Sequence, residues 1–197
     1  DTTVPFDDKL GVLGFRANWE CMFVKNLNLG VEYDKNMGRD NTNAKYKGYA
    51  YKINADYSMD LSGKLGIKGE YAYLSGQDTS TDVKLYTPIA MDYRPGIIYG
   101  GFGTITGNGD KIINIGANWS PSKFEKLNLA LDFYNFKEAK KSLTNDTLGN
   151  EFDIVATWNH SDKVSLKGYY AMFKPEKDNT TTDDMYTALG AAFVVKF

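Results

Sequence analysis

The sequence is poor in the residues that carry most chemistry. Of 197 residues one is cysteine, Cys21, so an internal disulfide and an all-cysteine zinc site are excluded. One residue is histidine, His160, which sits at a short turn next to Asp162. A solvated turn histidine accounts for it better than a general base or metal ligand, and no Ser-His-Asp arrangement suggests itself. No apolar run approaches the roughly 18 residues of a membrane helix. Only strands could therefore carry this chain through a bilayer. Net charge is −2 with no basic or acidic block, which argues against a nucleic-acid partner. The glycine-rich stretch 100–109 lacks the lysine and following helix of a phosphate-binding loop. No cofactor motif is present. No signal peptide is visible, so the chain reads as starting after processing or as a fragment.

What is abundant is alternation. Aromatics make up 14% of the chain, with 14 tyrosines. Nine segments alternate apolar and polar residues with period two, the signature of strands with one apolar face. They fall at about 11–23, 25–36, 44–59, 63–75, 110–120, 125–137, 150–159, 163–174 and 185–197. In the first, Leu13, Phe15, Ala17, Trp19, Cys21 and Phe23 share a face opposite Arg16, Asn18 and Glu20.

Five of the segments end with an aromatic on the apolar face: Trp19, Tyr57, Trp119, Trp158 and Phe197. The intervening ones carry theirs near the other boundary: Tyr33, Tyr71 and Tyr73, Phe133, Tyr170. Two aromatic belts bracketing aliphatics are what a transmembrane β-barrel places at its two water–lipid boundaries. The apolar content of 42% and charged content of 24% suit a wall of which half faces water. The polar face mixes Gly, Asn and Ala with charges, a composition expected of a narrow lumen. A soluble sandwich or lipocalin-like barrel, with the apolar face turned inward, is the competing architecture.

The connections alternate. Those near 24–26, 60–62, 120–125 and 160–162 are short; those at 35–43, 76–109, 138–149 and 175–184 are long and polar. In outer-membrane barrels short turns are periplasmic and long loops extracellular. On that reading the first and last strands both run downward, and nine strands are the C-terminal part of a larger barrel of about 16–18 strands. The rest of the wall would come from the same precursor or a second chain, because bare strand edges in lipid are prohibitively costly. A nine-stranded closed barrel with one parallel seam is the other arrangement left open. The whole chain, 1–197, reads as one barrel domain. Its expected surroundings are the lipid bilayer and lipopolysaccharide of a bacterial outer membrane, with the assembly machinery that inserts barrels there.

The last residues, Leu189-Gly-Ala-Ala-Phe-Val-Val-Lys-Phe197, resemble the C-terminal signal that this machinery recognises in Gram-negative outer-membrane proteins. The stretches Leu148–Ile154 and Lys163–Pro175 resemble the final hairpins of the alginate-export family of porins. Tyr86-Thr-Pro88 and Arg94-Pro-Gly-Ile-Ile-Tyr-Gly100 are similar in style to that family's long loop. The resemblance covers about half of the chain. It implies an 18-stranded barrel, of which this chain would be the C-terminal half, and an Arg-rich lumen that passes an anionic polysaccharide. The lining read here departs from that pattern. Cationic Arg16, Lys52, Lys68, Lys167 and Lys196 alternate with Glu20, Glu32, Asp34, Asp56, Glu70, Asp132 and Asp153.

Selectivity would therefore rest on Arg16, Glu20, Glu32, Lys52, Asp56, Lys68, Glu70, Asp132 and Lys167, with Asp92 and Arg94 from the 34-residue connection 76–109. Ion pairs such as Lys52 with Glu70, or Lys68 with Asp56, are the structural alternative for these charges. The long connection carries apolar residues of its own, Pro88–Met91 and Ile97–Tyr99. It either folds into the lumen, where Asp92, Tyr93 and Arg94 would constrict it, or caps the surface. Asp34, Asp40 and Asn41, or Asp178, Asp183 and Asp184, could ligate Ca²⁺, though solvated loops explain them better. Three functions follow: a pore for passive diffusion of small polar or anionic solutes; a non-conducting barrel that anchors or scaffolds a partner; and an outer-membrane enzyme, which the lack of a suitably placed histidine disfavours.

Overall fold

A computed structural model of the chain describes residues 8–89, 93–102, 108–140, 146–177 and 184–196. Among these residues nine strands form one sheet in sequence order, each antiparallel to the next. They are β1 (Lys9–Glu20), β2 (Leu27–Arg39), β3 (Tyr49–Asp60), β4 (Gly63–Ser75), β5 (Gly109–Pro121), β6 (Leu127–Glu138), β7 (Thr147–Ser161), β8 (Val164–Pro175) and β9 (Tyr186–Val195). The sheet is open: β1 and β9 pair with one neighbour each, so the nine strands do not close on themselves.

Each alternating segment forms a strand, and the differences lie at the ends. Cys21 and Phe23 fall outside β1, because β1 stops where its partner does, at the Glu20–Asn28 pair. The chain then turns back through residues 21–26. The Cys21 N–H donates to the Leu27 carbonyl at 2.7 Å, and Asn26 takes φ 63°, a conformation asparagine tolerates. Residues 44–48, read as strand, precede β3. There Lys45 bridges Arg39, and Tyr46 bridges Val83 of the long connection.

Register places side chains in rows across the sheet. One row on the polar face runs Arg16, Glu32, Lys52, Ala72, Ile112, Phe136. Another runs Glu20, Asn28, Asp56, Lys68, Gly116, Asp132, Asp153. Most apolar side chains of the strands point the other way, and many of them are uncovered. Leu13, Phe15, Trp19, Tyr33, Ile53, Tyr57, Ile113, Trp119, Leu131, Phe133, Ile154, Trp158 and Leu189 are all exposed. Tyr73 is half-buried because it stacks in a cross-strand ladder, 5.6 Å from Tyr49 and 5.1 Å from Tyr51. Phe197 lies outside the described residues.

Burial is thus inverted relative to a water-soluble sheet. On β5, Asn114 is 3% exposed while its neighbour Ile115 is 59% exposed. Trp19 and Ile154 are exposed as well, whereas Lys68 and Asp132 sit on the opposite face in an ion pair of 2.7 Å.

Candidate functional site

The connection between β4 and β5 covers the polar face. Its first part is tied down at the long-loop end of the sheet. The Tyr86 N–H donates to the Ser75 carbonyl at 2.8 Å, and Asn36 of β2 exchanges two 2.8 Å hydrogen bonds with the backbone of Thr87. Asn36 is buried, so this reciprocal pairing satisfies a side chain that would otherwise be costly to enclose. The chain then crosses the face. Tyr93 donates its hydroxyl to Glu70 of β4 at 2.7 Å, and Lys52 of β3 lies 5.2 Å from the centre of its ring. Farther on, the connection reaches β7. Ile97 N–H donates to Asp153 at 3.0 Å, while Ile98 and Tyr99 N–H donate to the two oxygens of Glu151 at 2.6 and 2.8 Å.

Two local features make that contact fit. Gly96 has φ +76°, and a Cβ there would stand 2.7 Å from the Glu151 carboxylate, so only glycine allows this approach. Beside it, the Tyr99 ring stacks on Phe136 at 3.9 Å and its hydroxyl donates to Asp110 at 3.1 Å. Tyr86, Ile98 and Tyr99 pack with Ala72, Leu74, Ile112, Phe136, Ala171 and Phe173 in a small apolar core. The apolar residues of the long connection thus divide. Ile98 and Tyr99 are buried against the sheet, and Ile89 is exposed.

Between the connection and β1–β5 lies a cavity of about 340 Å³. Arg16, Glu32, Lys52 and Arg94 line it together, four of the residues singled out from sequence. Glu32 accepts from Arg16 Nη2 at 2.6 Å and from Lys52 Nζ at 3.3 Å. The other predicted residues distribute along the polar face. Glu70 holds Tyr93, Lys68 pairs with Asp132, and Asp56 accepts from Asn54 at 2.9 Å. Glu20 and Lys167 are exposed on the part of the face that the connection leaves open. Asp92 lies outside the described residues.

The ion pairs differ from those expected. Lys52 pairs with Glu32, its direct register partner, while Glu70 takes the Tyr93 hydroxyl. Lys68 bypasses Asp56 because Gly116 stands between it and Asp132 in the row, and a Cβ at Gly116 would meet both side chains. Glu151 and Asp110 were not singled out, and Tyr99 was read only as part of an apolar stretch. Glu151 has a sequence signal: it lies two residues before Asp153, on the same face of β7.

The calcium candidates do not converge. The Asp40 carboxylate accepts from Thr42 and Ala44 within its own turn, while Asp34 lies within β2, opposite Gly14 and Ala50. Asp178 and Asp183 lie outside the described residues, among which no group of three or more His, Cys, Asp or Glu could hold a metal. His160 is exposed at an irregularity of β7, its carbonyl accepting from Lys126 at 2.9 Å.

Outside the strands, Asp78 ties two connections together. Lys84 Nζ donates to it at 2.7 Å, and Lys140, beyond β6, pairs with it at 2.9 Å. Lys84 first, then Lys140 and the Ser80 N–H, hold its carboxyl well below the ordinary aspartate range. A carboxylate with a lowered folded pKa adds stability above its unfolded value of about 3.9, and that stability is lost as pH falls through the lower folded value. Hydrogen exchange of residues 77–86 should therefore remain slow at pH ~4 and quicken only below it. In a Lys84→Ala/Lys140→Ala double variant the carboxyl returns toward its ordinary value, so exchange should already be faster at pH ~6 and the acid onset should largely vanish. An unchanged onset would show that the two lysines do not hold Asp78.

Comparison of the chain with protein-family models and with curated proteins finds no match.

Proposed function

We propose that the chain is part of the wall of a bacterial outer-membrane porin whose lumen is narrowed by residues 93–102. The observation that carries this reading is the inverted burial: many aliphatic and aromatic side chains are exposed on one face of the sheet, while polar side chains such as Asn36, Asn114 and Glu151 are enclosed on the other. In water an uncovered apolar face of nine strands would be an aggregation surface. In a bilayer it is the surface that binds lipid, and the belts Trp19, Tyr57, Trp119, Trp158 and Tyr33, Tyr73 lie toward its two boundaries, while Phe133, the register partner of Ile115, lies between them. The short-turn end is then periplasmic and the long-loop end faces lipopolysaccharide.

Topology constrains the missing wall. All pairings are antiparallel, so β1 and β9 run in the same direction. A second copy of these nine strands would meet each edge in parallel. An antiparallel closure needs an odd number of further strands. The 18-stranded barrel implied by the alginate-export resemblance would need 18 − 9 = 9 more, which is odd. The solutes suited to the lining are small and polar or anionic, since charges of both signs alternate on the polar face.

Single-channel recording in planar bilayers tests the reading. A steady, ohmic current in KCl is expected. Silence from correctly inserted protein would refute conduction and leave a barrel that anchors or scaffolds a partner.

A further inference from the structure

The cavity between β1–β5 and the long connection holds more than a constriction would require. Its polar groups are already engaged with one another. Glu32 accepts from Arg16 and Lys52, and Asp110 accepts from Tyr99. Around them the lining is apolar, with Val12, Leu74 and Ile112 from the sheet and Pro88 and Ile89 from the connection. Arg94 is the exception. It lines the same cavity, is exposed, and has no ion pair or side-chain hydrogen bond among the described residues.

These facts select a chemistry. A sugar needs hydroxyl partners on several sides, and the groups that could serve would first have to leave their present partners. An organic cation would compete with Arg16 and Lys52 for Glu32 and with the Tyr99 hydroxyl for Asp110, and it would face the cationic Arg94. A dianion would meet three carboxylates beside one unengaged guanidinium. A monocarboxylate with an apolar body carries half that charge and displaces none of these contacts. Its two oxygens match the planar fork of an arginine, and its body covers aliphatic surface. The volume lies at the small end of ligand sites, which begin at about 300 Å³.

We propose that this cavity binds small organic monocarboxylates, the carboxylate on Arg94 and the apolar body against Val12, Pro88 and Ile89. This names the solute class of the porin and rests on that reading for how the solute arrives.

Benzoate, benzamide and glucose are suitable probes, measured by equilibrium dialysis against the protein in detergent, where binding does not depend on conduction. Benzoate should bind saturably and roughly tenfold or more tighter than benzamide or glucose, the order a charge-assisted bidentate contact provides. Arg94→Gln should abolish the preference for benzoate while leaving benzamide unchanged, which also shows that the cavity is intact. Arg94→Lys should keep part of the preference. Equal binding of the three probes, no binding, or a benzoate preference that survives Arg94→Gln would each overturn the proposal. Recording KCl current from the same preparation separates the two readings. Conduction without benzoate preference overturns this site alone, and preference without conduction overturns the porin alone.

Discussion

Replacing Ile115 by arginine is expected to destabilise the protein in a bilayer by about 2–4 kcal/mol. Ile115 lies on the apolar face of β5, four residues from Lys111 and four from Trp119, midway between the two ends of the strand. Its register partners are Gly69 and Phe133, and it is already 59% exposed. That exposure makes the substitution decisive. If the face met water, an arginine there would have room and hydration, and the change would stay within about 0.5 kcal/mol. In lipid the guanidinium must be dragged to an interface or neutralised. The cost should fall with depth. Leu65→Arg, on the same face but paired with Trp119 in the belt, should cost only about 0–1 kcal/mol. Urea titration of folding into lipid vesicles measures both. Two small values would mean that the apolar face is not in lipid, and the porin reading would fall with it.

Much of this arrangement was written in period-two alternation. Alternation requires only that each strand have two chemically distinct faces, so it identified all nine strands and the residues that share a face. It does not fix how far a hairpin extends, because that is set by the partner's length and the turn. Cys21 and Phe23 continue the pattern of β1 yet lie in its turn. Nor does it fix which charges pair. The Lys68–Asp132 contact depends on a glycine, Gly116, lying between two strands that are remote in sequence. The course of the long connection was legible only as a choice between lumen and surface. A sharper signal was available where alternation fails. Ile112 beside Ile113, Phe136 one residue past Asn135, and Phe173 beside Met172 are apolar residues on the polar face. They make sense once something apolar covers them, and Ile98 and Tyr99 do so. Glu151 stayed hidden for a related reason. A carboxylate on a polar face looks like any other lining charge until the backbone it grips is known.

That grip gives the second large effect, expected on replacing Glu151 by alanine. Glu151 is 1% exposed, and its two oxygens receive the N–H groups of Ile98 and Tyr99. Without it two buried donors lose their acceptor, at about 1–3 kcal/mol each. The connection can recover those bonds only by lifting into water. Lifting separates the Tyr99 ring from Phe136 and the Tyr99 hydroxyl from Asp110, so the losses are coupled. Residues 97–99 should leave the sheet as a unit. Their amides should exchange faster by two to three orders of magnitude, as the loss of roughly 3–4 kcal/mol implies. Glu151→Gln keeps one acceptor oxygen and nearly the same shape, so it should release the segment much less. If the sheet walls a pore, Glu151→Ala should also raise its conductance, since the segment that narrows the polar face is no longer held against it. Exchange and current answer different questions. Faster exchange without added current would mean that the carboxylate fastens the connection but the connection does not limit flow. Unchanged exchange at residues 97–99 would mean that the apolar contacts with Phe136 hold the segment by themselves, and that Glu151 is dispensable to its position.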